Sequence, residues 1–228
     1  MSLVGALVRR TVPPATLVRW LCRLDNAVYR ALSLASIRYG GGLHAKHRLT
    51  RYHEFFVARV GAGDRVLDIG CGNGALAADI ARDRKAVVTG IDHSAASIRA
   101  ARAAHGAEGI TFIEGDARRL PPGAFDVVIL SNVLEHLDDR VTFLRETVRR
   151  TGAPRVLVRV PLFERDWRVP LKRELGVDYR LDPTHRIEYT QEEFEAEMAA
   201  ADFVVDERQV RWGILVIAGL LLAIWLTR

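Results

Sequence analysis

R-V-L-D-I-G-C-G-N-G-A-L-A, Arg65 to Ala77, is the stretch that decides the fold. Val66, Leu67 and Ile69 form a short apolar run ended by glycine, the pattern of a buried parallel strand. The chain then turns through Gly70, Gly72 and Gly74. Ala75 to Arg82 has helical character, with Asn73 placed to cap it. Glycine at the end of a strand permits a sharp turn and lets a ligand approach the main chain. The helix that follows directs unpaired N–H groups and a positive dipole end at the same spot. Cys71 lies inside the turn, where its backbone matters more than its thiol.

The ligand is specified by what surrounds the turn. Its spacing is G-x-G-x-G, neither the dinucleotide fingerprint G-x-G-x-x-G nor a phosphate loop with Gly-Lys-Ser/Thr. No Lys or Arg lies between Gly70 and Ile80 to meet a pyrophosphate. Asp68, inside the strand end, attracts a cationic ligand. A second strand, Ala86 to Ile91, ends in Asp92, and an acid there is placed to take two ribose hydroxyls. An adenosine without phosphates, carrying an amino acid and a positive sulfur, meets these conditions. That ligand is S-adenosylmethionine.

V-L-D-I-G-C-G-N-G resembles motif I of the class I S-adenosylmethionine-dependent methyltransferases. G-I-D-H-S, Gly90 to Ser94, is similar to their second motif and sets His93 beside Asp92. E-G-D-A, Glu114 to Ala117, is similar to the third, whose acid or neighbouring amide holds the adenine, here Asp116 and Ala117. F-D-V-V-I-L-S-N-V-L-E-H-L, Phe125 to Leu137, resembles the fourth strand and the helix after it. The resemblance implies an α/β fold with a doubly wound, mostly parallel seven-stranded Rossmann-like sheet and an N-terminal helical extension. It divides the chain into an extension and cofactor lid over 1–60, a methyltransferase domain over 61–218 and an apolar tail over 219–228. It also implies transfer of a methyl group to a small-molecule acceptor.

The resemblance extends to the acceptor side. Ser131 and Asn132 follow the strand Phe125 to Leu130, and Asn132 is placed to hold the cofactor's amino group or orient the acceptor. Glu135 and His136 stand on the next turn. In the ubiquinone-pathway O-methyltransferases the matching segment is E-x-x-E-H, associated with a divalent ion. Here Asn132 replaces the first acid, which weakens the case for a hard cation, and no metal is assigned. An imidazole near the methyl suits deprotonation of an acceptor hydroxyl. The structural alternative is that Glu135 and His136 only cap and pack the helix.

Leu43 to Val60 reads as one helix and resembles the segment in which those enzymes bind the cofactor's carboxylate through arginine. Arg48 and Arg51, three apart on one face, are the candidates. His44, His47 and His53 read as a polar helix end, since their spacing matches no zinc pattern. Past a fifth strand, Pro154 to Val160, the segment Leu162 to Tyr189 has no clear period and lies where the family inserts its acceptor cap. His185 within it reads as a surface-loop residue or a second base. Thr190 and Glu193 form a capping box for the helix after it.

The two ends carry the remaining signals. Thr16 to Ile37 repeats Leu17, Trp20, Leu21, Leu24, Val28 and Leu32 at intervals of three and four, with arginines largely elsewhere. Such a helix packs on its own domain or lies on an anionic membrane. Gly213 to Leu226 is free of charge. Ile214 to Ala218 fits an antiparallel closing strand, and the whole run falls short of the ~20 residues of a spanning helix. Trp225 and Arg228 suit an interface. The 33 Lys and Arg outnumber the 28 Asp and Glu, but no nucleic-acid-binding motif is present, so no nucleic-acid partner is expected. Two cysteines in 228 residues fit a reducing, cytoplasmic setting, with or without membrane contact.

Overall fold

The computed structural model describes residues 12–42, 44–106, 109–211 and 213–221. The chain forms two compact units, one of Met1–Arg51 with Phe163–Pro183, the other of Tyr52–Leu162 with Thr184–Arg228. The helical extension thus shares its unit with the insertion after the fifth strand, and the first segment of that unit ends at Arg51.

In chain order the elements are α1 (Pro14–Tyr39), α2 (Lys46–Thr50), α3 (His53–Ala58), β1 (Arg65–Ile69), α4 (Ala75–Arg84), β2 (Val87–Asp92), α5 (Ala95–His105), β3 (Thr111–Glu114) and β4 (Val127–Ser131). They continue with α6 (Arg140–Thr151), β5 (Arg155–Pro161), α7 (Arg168–Glu174), α8 (Gln191–Ala200), β6 (Phe203–Arg211) and β7 (Ile214–Leu221). The strands of the larger unit make one seven-stranded sheet in the order β3-β2-β1-β4-β5-β7-β6. Neighbours among β1 to β5 run parallel, and β7 lies antiparallel between β5 and β6. The doubly wound fold read from sequence is the observed one. Strand order reverses between β1 and β4, and such a switch point opens a crevice at the carboxyl ends of the strands.

Strand alternation divides the core between the two sheet faces. Leu67, Leu130 and Val158 pack with Leu144 of α6 and Phe194 of α8. Val66, Ile129 and Leu157 pack on the other side with Phe56, Ile80 and Ile98 of α3, α4 and α5. Local signals set the helix ends. The Ser94 hydroxyl accepts from the Ser97 amide at 3.2 Å. Thr190 and Glu193 close a reciprocal capping box, each side chain accepting from the other's amide. Gly152 ends α6 in the left-handed conformation, which costs glycine little.

Four local expectations change. The residue capping α4 is Gly74 at φ +78°, with the Asn73 side chain only 3.4 Å from the Ala75 amide. Leu43 to Val60 is not one helix: Arg51 adopts φ +50° and ends α2, so Arg48 and Arg51 do not share a helix face. The Thr50 hydroxyl donates to the Lys46 carbonyl at 2.7 Å, a local bond that competes with continued helix. Glu135 and His136 stand in a short 3₁₀ turn, Leu134–His136, ahead of α6. Finally, β7 continues past Ala218 to Leu221, because β5 offers it pairing partners as far as Leu220 and β6 as far as Leu221. The expected tail thus begins inside a strand, and its residues 222–228 lie outside the described residues.

In the smaller unit Pro14 starts α1, where a missing N–H costs nothing. The helix packs by its polar side. Asp25 pairs with Arg168 at 2.7 Å and Lys172 at 2.6 Å, Asn26 donates to the Asp178 carbonyl at 2.6 Å, and Arg19 donates to the Leu175 carbonyl at 3.0 Å. Cys22 is its buried residue. The apolar stripe faces solvent instead, with Trp20 64% and Leu32 61% exposed.

Candidate active site

The glycine turn needs its glycines for different reasons. Gly70, Gly72 and Gly74 all take positive φ, at +72°, +55° and +78°. A Cβ on Gly70 would lie 2.6 Å from Val133, and one on Gly74 2.6 Å from the Phe112 ring. A Cβ on Gly72 would meet nothing within 4 Å, so Gly72 borders open space. The Asp92 carboxylate spans this turn, accepting from the Gly72 amide at 2.9 Å and the Ser94 amide at 2.8 Å. Cys71 faces inward: its amide donates to the Ile91 carbonyl at 3.1 Å and its sulfur packs where Gly90 leaves room. Burial pushes its thiol well above the usual range.

Around these lie the other residues read as cofactor contacts. The His93 side chain is exposed, with Nδ1 3.7 Å from Asp92. Asp116 is exposed after β3 and accepts from the Arg118 amide at 2.8 Å, while Ala117 is half-buried against the core. The Gly115 amide donates to the Asp92 carbonyl at 3.0 Å and ties the third-strand end to the second. Asp68 is 1% exposed, and neither carboxylate oxygen has a hydrogen-bond partner. Burial, then the charge of Asp92, pushes its carboxyl up to about 7. Arg48 and Arg51 are exposed and belong to the smaller unit.

The carboxyl ends of β4 and β5 carry a second cluster. Asn132 takes φ +61°, its amide donates to the Arg159 carbonyl at 2.9 Å, and its side-chain oxygen is buried without a partner. Glu135 is fully buried, with both oxygens unpartnered, and burial pushes it up to about 7. The His136 Nδ1 lies 2.9 Å from the Thr184 hydroxyl. His185 is no surface-loop residue: it is buried, stacks edge-on against His136 at 4.7 Å, and its Nδ1 lies 2.8 Å from Glu188. The Glu135 carbonyl accepts from the Arg186 amide at 2.7 Å, which fastens the 184–188 segment beside the 3₁₀ turn. Ligand atoms of Glu135, His136 and His185 lie within 4.8 Å of one another.

Sequence reading missed three members of this cluster: Arg159, Tyr52 and Glu188. Arg159 of β5 is buried, with its guanidinium 3.8 Å from the centre of the Tyr52 ring. A lone arginine in the apolar run V-L-V-R-V was the available signal. Glu188 had none, because only the fold of the 184–188 segment turns it onto His185. Two other histidines serve locally: His44 accepts from the Lys46 amide, and His53 pairs with Asp79 at 2.6 Å.

These groups suit S-adenosylmethionine. A buried carboxylate without a partner calls for a cation, Gly72 leaves room beside the turn, and Asp92 stands at the second-strand end. The sheet order, the glycine turn and the acid at β2 define a class I S-adenosylmethionine-dependent methyltransferase fold. Residues 66–152 match the family described as methyltransferase domain. It is 34% identical over 128 residues to a probable S-adenosylmethionine-dependent methyltransferase of Mycolicibacterium smegmatis, covering 55% of this chain and 49% of that one. It is 37% identical over 89 residues to the ubiquinone biosynthesis O-methyltransferase of Neisseria meningitidis, covering 36% of this chain and 37% of that one. Its fold is similar to magnesium protoporphyrin IX methyltransferase from Synechocystis, solved with bound SAH, at TM-score 0.58 and 19% identity over 82% of this chain and 85% of that one. The chain spans about half or less of the length of these curated relatives.

Proposed function

We propose that the protein transfers a methyl group from S-adenosylmethionine to a small-molecule acceptor, at an oxygen of a lipid, quinone-like or saccharide metabolite. The observation that carries this reading is the pairing of two sites on one set of strand ends. Asp68, a buried carboxylate without partners, stands at the glycine turn, and Glu135, His136 and His185 gather beyond β4. The cofactor brings a methyl already activated by its sulfonium, so the chain mainly binds and aligns, worth several kcal/mol of barrier.

Asp68 balances the cofactor's positive charge, Asp92 takes the ribose hydroxyls, and Asp116 with Ala117 borders the adenine. Asn132 orients the reacting groups. His136 accepts the acceptor's hydroxyl proton, while Thr184 fixes the orientation of its ring through Nδ1. Glu135, beside it in the 3₁₀ turn, stabilises the imidazolium that results. Similarity to O-methyltransferases of ubiquinone biosynthesis supports oxygen as the acceptor atom. N- or C-methylation, or cofactor binding without catalysis, are the alternatives.

A peripheral membrane setting is part of the proposal. The exposed Trp20, Leu24 and Leu32 lie on one side of α1 with Arg23 and Arg30 also exposed, while the acid Asp25 is already paired. An apolar stripe with arginines suits an anionic surface. Among the described residues, no helix is long and apolar enough to cross a membrane.

Calorimetric titration with S-adenosylmethionine tests the cofactor site. Transfer of labelled methyl to a pool of hydroxylated lipids, catechols and saccharides tests catalysis. Tight binding with no labelled product from any pool would refute the enzyme and leave a cofactor-binding scaffold.

A further inference from the structure

Arg159 is a buried cation that no carboxylate among the described residues meets with a hydrogen bond. Only 6% of it is exposed. Its Nη1 reaches the Ser131 hydroxyl at a long 3.4 Å, its ring-facing side lies on Tyr52 at 3.8 Å, and its Nε has no hydrogen-bond partner. Burial depresses its pKa. A guanidinium removed from water this far is costly unless an anion and hydrogen bonds compensate.

The charge of Glu135 and the Tyr52 side chain act on Arg159, but among the described residues no carboxylate meets it with a hydrogen bond. Asp79 is engaged by His53 and Arg82, each at 2.6 Å, and Glu188 by His185 at 2.8 Å. Asp68 and Glu135 are buried, but all four of their carboxylate oxygens lack any hydrogen-bond partner, Arg159 included. Stacking on Tyr52 occupies the face of the guanidinium and leaves Nε in its plane without a partner, and it is by its in-plane donors that a guanidinium meets a carboxylate two-pronged. Register places Arg159 opposite Ser131, and its carbonyl accepts from the Asn132 amide. It therefore stands at the strand end where the methyl is transferred.

We propose that Arg159 is the carboxylate receptor of the transfer site, taking either the carboxylate of the cofactor's amino-acid end or that of an acidic acceptor. The proposal rests on the methyl-transfer reading above. It moves carboxylate recognition from the exposed arginines of the 43–60 segment to a buried one on β5.

Two ligand pairs test it by calorimetry. The first is S-adenosylhomocysteine against its decarboxylated counterpart, which lacks only the carboxylate. The second is benzoate against benzyl alcohol, titrated onto the S-adenosylhomocysteine complex. Wild type should prefer the carboxylate in one pair by roughly 10- to 100-fold, the scale of charge-assisted hydrogen bonds, and Arg159→Met should bind both members alike. Loss of preference in the first pair assigns the cofactor's carboxylate, and in the second an acidic acceptor. A folded Arg159→Met that keeps the wild-type preference in both pairs overturns the proposal. So does a wild type without preference in either pair, a result that needs no variant. Should the Met variant not fold, Arg159→Lys is read by the same criterion, since its point charge cannot make the two-pronged contact. Wild type that binds no S-adenosylhomocysteine at all would instead sink the methyltransferase reading.

Discussion

Asp68→Asn should make the empty protein more stable and the cofactor weaker, two effects of opposite sign from one isosteric change. The carboxyl is raised from its usual 3.8 to about 7 by burial and by Asp92, and no hydrogen bond compensates it. That difference corresponds to at most about 4 kcal/mol between its two protonation states. The folded carboxyl keeps its proton to higher pH than the unfolded one, so the penalty is absent below about 3.8, grows from about 4 to about 7, and is complete above that. Asparagine carries no charge and escapes it. The variant should thus gain about 2–4 kcal/mol over wild type at pH 8 and almost nothing at pH 4. In the complex the ionised carboxylate faces the cofactor's cation, and its loss should weaken binding by about 1.5–3 kcal/mol. Wild-type affinity should itself fall as pH drops below about 7, up to tenfold per pH unit, and the variant should lose that dependence. Thermal melts from pH 4 to 8 and calorimetry with S-adenosylmethionine read both effects. An Asp68→Asn variant that is destabilised at pH 8 and binds cofactor normally would show that Asp68 serves the fold alone.

Other substitutions separate the remaining roles. Asp92→Ala removes the acceptor of the Gly72 and Ser94 amides and should cost about 1.5–3 kcal/mol of cofactor affinity; a folded variant with normal calorimetry refutes the assignment. His136→Ala should lower kcat by about 10²-fold and leave S-adenosylhomocysteine binding unchanged, and an unaltered rate across pH would leave it a packing role. Gly74→Ala forces a Cβ to 2.6 Å from Phe112 at φ +78° and should lower Tm by the equivalent of about 1–3 kcal/mol, whereas a neutral melt would mean the turn relaxes. Paired Trp20→Asp and Leu24→Asp changes should abolish flotation with anionic liposomes while cofactor binding persists; wild type that does not float at low salt removes the membrane setting.

Periodicity and turn chemistry were enough to read the parallel sheet, because both are local. An apolar run ended by three spaced glycines and followed by a helix leaves few alternatives, and the acid at the end of β2 repeats the logic one strand later. The capping signals at Ser94, Thr190 and Gly152 are equally local and lie where their residue types require. Sequence could also mark α1 as amphipathic, but not which face it buries. Asp25, Asn26 and Arg19 turn the polar side inward because their partners lie about 150 residues away. The same limit applies to the acceptor end. Arg51 leaves the helix through a backbone conformation that no local pattern announced. His185 looked like a loop residue until the 184–188 segment folded against Glu135. What the chain's order of residues determined was the sheet, the glycine turn and the acids at its strand ends, each set by near neighbours. What only tertiary structure decided was which charged groups keep buried atoms without a hydrogen-bond partner: both carboxylates of Asp68 and Glu135, and Nε of Arg159. Burial is a property of the surrounding chain, and these three acquire their chemistry from it.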